Sequence, residues 1–106
     1  MVAALLLATD GALAHVKLVE SSPPAGAALA QPPAEIVLRF TGEPEQAFAA
    51  VEWFREGTWS PLTTQVRGVD VHAPVPALAS GTHRIRWRVM SRDGHRQLGS
   101  FDFSVR

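Results

Sequence analysis

Apolar and polar residues alternate along short runs, and no stretch carries the period of a long amphipathic helix. Residues 16–20 form a candidate first strand, broken by Ser21-Ser22-Pro23-Pro24-Ala25-Gly26. After Gln31-Pro32-Pro33, the residues Ile36, Leu38 and Phe40 alternate with Val37 and Arg39, as in a half-buried strand. Gly42-Glu43-Pro44 then turns the chain. Residues 49–55, with Val51 and Trp53, predict a third strand, and a short one follows over 59–63 after the Glu56-Gly57 turn. Across 65–72, Val69 and Val71 alternate with Gly68, Asp70 and His72. This predicts one strand with His72 solvated at its edge, and a loop over 74–80.

The last two strands carry the clearest pattern. Over 82–91, His83, Ile85, Trp87 and Val89 share one parity, and Arg84, Arg86 and Arg88 the other. Over 100–106, Phe101, Phe103 and Val105 alternate with Ser100, Asp102 and Ser104. The two runs predict an antiparallel hairpin joined by 92–99, with their apolar faces lining one core. Trp53 and Trp87 are expected in that core, His83 at its rim, and Met90 exposed or partly packed. The arginine stripe suits docking of an acidic partner, and acidic residues on a neighbouring strand would neutralise it equally well. About seven short strands with frequent turns predict an all-β fold, a two-sheet sandwich or Greek-key barrel.

The chain has 106 residues, room for one domain. Hydrophobic residues make up 46%, enough for a true core. Ten basic residues balance ten acidic ones, which argues against a nucleic-acid binder and against a polybasic membrane anchor. With no cysteine, disulfide frameworks, thiolate metal sites and cysteine nucleophiles are excluded. No G-x-S-x-G elbow is present.

Residues 1–14 differ from the rest. They are small and apolar, and Ala12-Leu13-Ala14 is an A-x-A cleavage signal. No Lys or Arg precedes the apolar run and Asp10 interrupts it, so the segment reads as the end of a secretory leader, cut after Ala14. That cut would leave 15–106 as the mature domain, with formal charge +1 once Asp10 is gone. It would also make His15 the first residue. An N-terminal histidine offers two nitrogens, the terminal amine and ring Nδ1, which close a chelate ring on one metal ion.

Asp93-Gly94-His95 lies in the hairpin connection. Taken alone it is equally a tight Asp-Gly turn followed by a solvated histidine. If the stretch is locally extended, Asp93 and His95 leave the same side and can reach one ion. Joined with His15 they give a nitrogen and oxygen set that suits Cu(II). The amine has a reference pKa of about 8 and must lose its proton to bind, so affinity should fall in acid.

These residues also carry a resemblance. The stretch His15-Val16-Lys17-Leu18-Val19-Glu20-Ser21-Ser22-Pro23-Pro24-Ala25-Gly26 resembles the opening of the CopC family of periplasmic copper-resistance proteins. So do Glu35-Ile36-Val37-Leu38-Arg39-Phe40, Ala77-Leu78-Ala79-Ser80-Gly81-Thr82, Trp87-Arg88-Val89-Met90-Ser91-Arg92-Asp93-Gly94-His95 and Gly99-Ser100-Phe101-Asp102-Phe103-Ser104-Val105, in order along nearly all of 15–106. The resemblance implies an Ig-like Greek-key fold and one Cu(II) ion per chain in a histidine-brace site. The matching ligands are His15, by amine and ring, Asp93 and His95. It further implies copper storage or carriage in the periplasm, with a CopD-type inner-membrane protein as partner and no small-molecule substrate. The sequence departs from the family twice. Met90 is the one methionine after residue 14, so no methionine-rich Cu(I) loop is expected. Gly42 stands where the family often has an acidic residue, with Glu43 next.

A non-enzymatic Cu(II) carrier or store is therefore the leading expectation. A copper-dependent oxidase or monooxygenase is one alternative, disfavoured because a carboxylate ligand holds the harder Cu(II) state. A metal-free Ig-like structural domain is the other, since fold alone does not give function.

Overall fold

The computed structural model describes residues 16–106. The expected leader, its cut site and His15 lie outside the described residues. The alternating runs become β1 (Leu18–Ser22), β2 (Ala28–Leu29), β3 (Glu35–Phe40), β4 (Ala50–Arg55), β5 (Thr58–Leu62), β6 (Gln65–Arg67), β7 (Asp70–Pro74), β8 (Gly81–Met90) and β9 (Arg96–Val105). Among the described residues one 3-10 turn, Gln46–Phe48, precedes β4. One sheet has the order β1-β3-β7-β6 and the other β2-β9-β8-β4-β5. The result is the expected Ig-like Greek-key sandwich. Of the described strands, seven have five residues or more, and β2 and β6 are short additions.

The core lies between the sheets, where the apolar parity of each strand points. Ile36, Leu38 and Phe40 of β3 and Val71 and Ala73 of β7 meet Val51 of β4, Ile85, Trp87 and Val89 of β8, and Phe103 and Val105 of β9. Burying each larger side chain contributes about 1.5–3 kcal/mol before the entropy cost of ordering it. Phe40 meets Trp87 edge to face at 5.3 Å, joining the two sheets. Gly99 lies flat under the Trp87 indole, and a Cβ there would fall 2.4 Å from the ring.

Three local expectations are corrected. Residues 65–72 are not one strand. Gly68 adopts φ +62°, and the chain folds back so that Arg67 faces Asp70 across a hairpin of β6 and β7. Consequently His72 is not a solvated edge residue. It lies on β7 between β3 and β6, half-buried, with Nδ1 3.3 Å from Glu35 Oε1. The connection between the last two strands is shorter than 92–99. Arg96 already pairs with Met90, because Gly94 at φ +89° lets the chain reverse within residues 91–95. One strand was not foreseen: β2, whose Ala28 and Leu29 pair in parallel with Ser104 and Val105.

Other packing expectations hold for His83, Trp87, Arg84 and Arg86, whereas Arg88 of the same stripe has no ion pair among the described residues. His83 packs at the core rim against Trp53 and Phe103, with Nε2 2.8 Å from the Ala79 carbonyl. Trp87 is buried, Trp53 and Met90 half-buried. Arg84 pairs with Asp102 and Arg86 with Glu52.

Candidate metal centre

The sandwich brings two distant parts of the sequence to one end. Val16 is buried. Beside it, the Lys17 N–H donates to Thr41 Oγ1 at 3.0 Å, and the Thr41 N–H donates to the Lys17 carbonyl at 2.8 Å. The first described residues are thus tied to the end of β3. The chain then leads through Pro44 to Glu45, whose N–H donates to the carbonyl of Met90, the last residue of β8, at 3.0 Å. Residues 91–95 therefore stand at the end of the sandwich where β1 begins.

The turn is closed by its own hydrogen bonds. The Ser91 N–H donates to the His95 carbonyl and the Gly94 N–H to the Ser91 carbonyl, each at 2.9 Å. Ser91 is a buried polar residue, 2% exposed. Its hydroxyl donates to Asp93 Oδ1. Asp93 Oδ2 meets His95 Nδ1 at 2.7 Å. The His95 N–H makes longer contacts to Ser91 Oγ at 3.3 Å and Asp93 Oδ1 at 3.4 Å. Asp93 and His95 are side by side, but through a turn at Gly94 (φ +89°) and not through the locally extended stretch on which the spacing argument depended.

The electrostatics follow from this network. The Ser91 hydroxyl is the main cause that holds the Asp93 carboxyl down to about 2, helped by the His95 ring and backbone N–H and opposed by partial burial. Asp93 is therefore an anion at neutral pH, and an anionic carboxylate only accepts. A neutral His95 must then place its ring proton on Nδ1. Nε2 carries the lone pair that a metal would use. A carboxylate so bonded to a metal-binding imidazole fixes its tautomer and ring orientation. With about four acceptor positions, Asp93 retains capacity to ligate as well.

Among the described residues, no group of three or more His, Cys, Asp and Glu side chains is placed to hold a metal ion. Asp93 and His95 supply two donors, and the expected third, His15, lies outside the described residues. His72 pairs with Glu35, and His83 is engaged at the core rim. Glu43 is exposed on the loop between β3 and the 3-10 turn. Sequence reasoning gave Ser91 no role of its own. Its signal was a hydroxyl residue two places before an Asp, a spacing suited to local side-chain capping.

The Ig-like sandwich thus presents an anchored carboxylate–imidazole pair beside the start of its first strand. In comparison with known proteins, residues 18–106 match the CopC domain, and the chain belongs to the CopC family of copper resistance proteins. It is 34% identical to copper resistance protein C of Xanthomonas campestris pv. juglandis over 117 residues, covering 100% of this chain and 91% of that protein. The structure of CopC from Methylosinus trichosporium OB3b superposes with a TM-score of 0.76 at 29% identity, covering 86% of this chain and 93% of that one. PcoC, a methionine-rich copper resistance protein from Escherichia coli, superposes with a TM-score of 0.69 at 28% identity, covering 88% and 100%. Family membership supports copper binding. Among the described residues, no helix is long and apolar enough to cross a membrane.

Proposed function

We propose that this chain binds one Cu(II) ion in the bacterial periplasm and acts without turnover, as a carrier or store in copper resistance. Cleavage after Ala14 would expose His15, whose amine and ring Nδ1 chelate the ion. His95 adds Nε2 and Asp93 a carboxylate oxygen. The observation that carries this reading is the self-braced turn of Ser91, Asp93 and His95 at the end where β1 begins, three residues after His15 in sequence. The anionic Asp93 favours the doubly charged ion, which suits holding Cu(II) more than cycling it. A CopD-type inner-membrane protein is the partner for transfer.

A chelator-competition titration tests the ligand set, comparing protein that begins at His15 with protein that retains residues 1–14. Tight one-to-one Cu(II) binding only in the form beginning at His15 is expected, weakening in acid as the amine takes up its proton. Equal binding by both forms would remove the amine from the site. Weak binding by both would favour a metal-free structural domain.

A further inference from the structure

The outward side of the five-stranded sheet is neutralised along only part of its length. Arg84 is held by Asp102 at 2.8 Å. Arg86 is held by Glu52 at 2.7 Å and lies over the Trp59 ring at 4.3 Å. Further along the same face, Arg88 stands opposite Leu98, and Arg96 opposite Met90. Among the described residues neither Arg88 nor Arg96 has a carboxylate within ion-pair distance. A groove of about 450 Å³ runs here, lined by Phe48, Arg88, Met90, Arg96 and Leu98.

Its apolar walls are open to solvent. Leu98 is 72% exposed and Phe48 53%. Both face water beside two uncompensated guanidinium groups, an arrangement that folding alone does not require. Guanidinium pairs with carboxylate in a planar, two-bond geometry, so each arginine is suited to an acidic side chain. The exposed Phe48 and Leu98 offer burial to an apolar one. The groove also ends at the Met90–Arg96 pair, the last rung before residues 91–95. A segment lying in it would touch the metal turn.

We propose that this groove docks an acidic, apolar segment of the protein that exchanges copper with this chain. Its role in copper exchange rests on the function proposed above; docking itself rests on the groove. Charge complementarity selects the occupant, because two separated cations flanking a concave apolar strip match a segment that alternates acidic and apolar residues. An anionic lipid surface would instead engage a broad basic face, and here Arg84 and Arg86 are already neutralised.

The test is a heteronuclear NMR titration of metal-free protein that begins at His15 with a blocked peptide alternating glutamate and leucine. Saturable shifts are expected at the amides of Phe48, Met90 and Leu98. Affinity should fall at least about tenfold in the double variant Arg88→Glu/Arg96→Glu, and likewise for a peptide with glutamine in place of glutamate. Leu98→Ser, an exposed change that spares the fold, should weaken binding several-fold. No saturable shift, shifts confined to another face, or equal binding of the glutamine peptide would overturn the proposal. A response to phosphatidylglycerol vesicles without one to the peptide would overturn it in favour of a membrane surface. Cu(II) titration of the double variant separates the two readings. Unchanged copper affinity with lost peptide binding supports a docking groove distinct from the metal site. Peptide binding by a chain that takes up no Cu(II) would keep the groove and overturn the copper reading.

Discussion

The inner row of β8 and the turn that continues it share one parity and are built by opposite means. Ile85, Trp87 and Val89 are buried among apolar neighbours. The next residues of that parity are Ser91, Asp93 and His95, and they are held by hydrogen bonds to one another. The change falls at Ser91, the one polar or charged residue among the described residues that is fully buried. Dispersion and area burial are tolerant of chemistry but demand volume. The Ser91, Asp93 and His95 network tolerates little chemical change and contributes little volume. Stability should therefore be concentrated in the first region and metal affinity in the second.

Breaking the apolar row should give the largest effect. Phe40→Ala removes the ring that meets Trp87 across the sheets and should cost about 3–5 kcal/mol, read as a lower midpoint in urea denaturation. His95→Ala should do the reverse. Its side chain is 62% exposed, so stability should move by no more than about 0.5 kcal/mol. Copper affinity should drop more than about 100-fold, roughly 2.8 kcal/mol, in a chelator competition. If His95→Ala destabilised the fold as much as Phe40→Ala, the division between the two regions would be wrong.

Ser91→Ala should affect both stability and metal affinity, because Ser91 belongs to both regions. Losing its hydroxyl should cost about 1 kcal/mol of stability and about tenfold in copper affinity, with Ser91→Thr restoring most of both. Equal copper affinity in wild type and Ser91→Ala would show that Asp93 needs no such support.

The smallest effect concerns pH. Asp93 is held below its ordinary value, chiefly by Ser91, so it stabilises the metal-free fold above about pH 3.8, and that contribution is lost as pH falls towards about 2. Asp70 beside Arg39 and Asp102 beside Arg84 are lowered too, chiefly by hydrogen bonds, and act in the same sense. Asp93→Asn should therefore flatten, without abolishing, the fall in stability across that window, measured by urea denaturation at successive pH values. An unchanged slope would mean that Asp93 is not selectively stabilised as an anion.

The strands that pack on a neighbour by strict alternation were legible from the sequence. β3 and β8 show their buried parity in the residue order itself, and so does the pairing of Arg84 and Arg86 with acids on adjacent strands. What depended on a single backbone reversal was not legible. Gly68 sits within an alternating run, and only its positive φ splits that run into a hairpin and moves His72 from an edge to an interior strand. β2 is two residues of backbone pairing with no pattern of its own. At the candidate site, Asp93 and His95 could be named from their spacing and from the family resemblance. Ser91 acquires its role only because the chain closes within residues 91–95 and sets its hydroxyl against Asp93.

One Cu(II) ion is proposed to sit between the N-terminus of the mature chain and the turn of residues 91–95. Paramagnetic broadening tests it most directly, with sub-stoichiometric Cu(II) added to isotopically labelled protein that begins at His15. The amides of Val16 and Lys17 and those of Asp93, Gly94 and His95 should vanish together, while His72 and His83 keep their intensity. Loss of signal at only one of those two clusters, or first around His72 and Glu35, would contradict it.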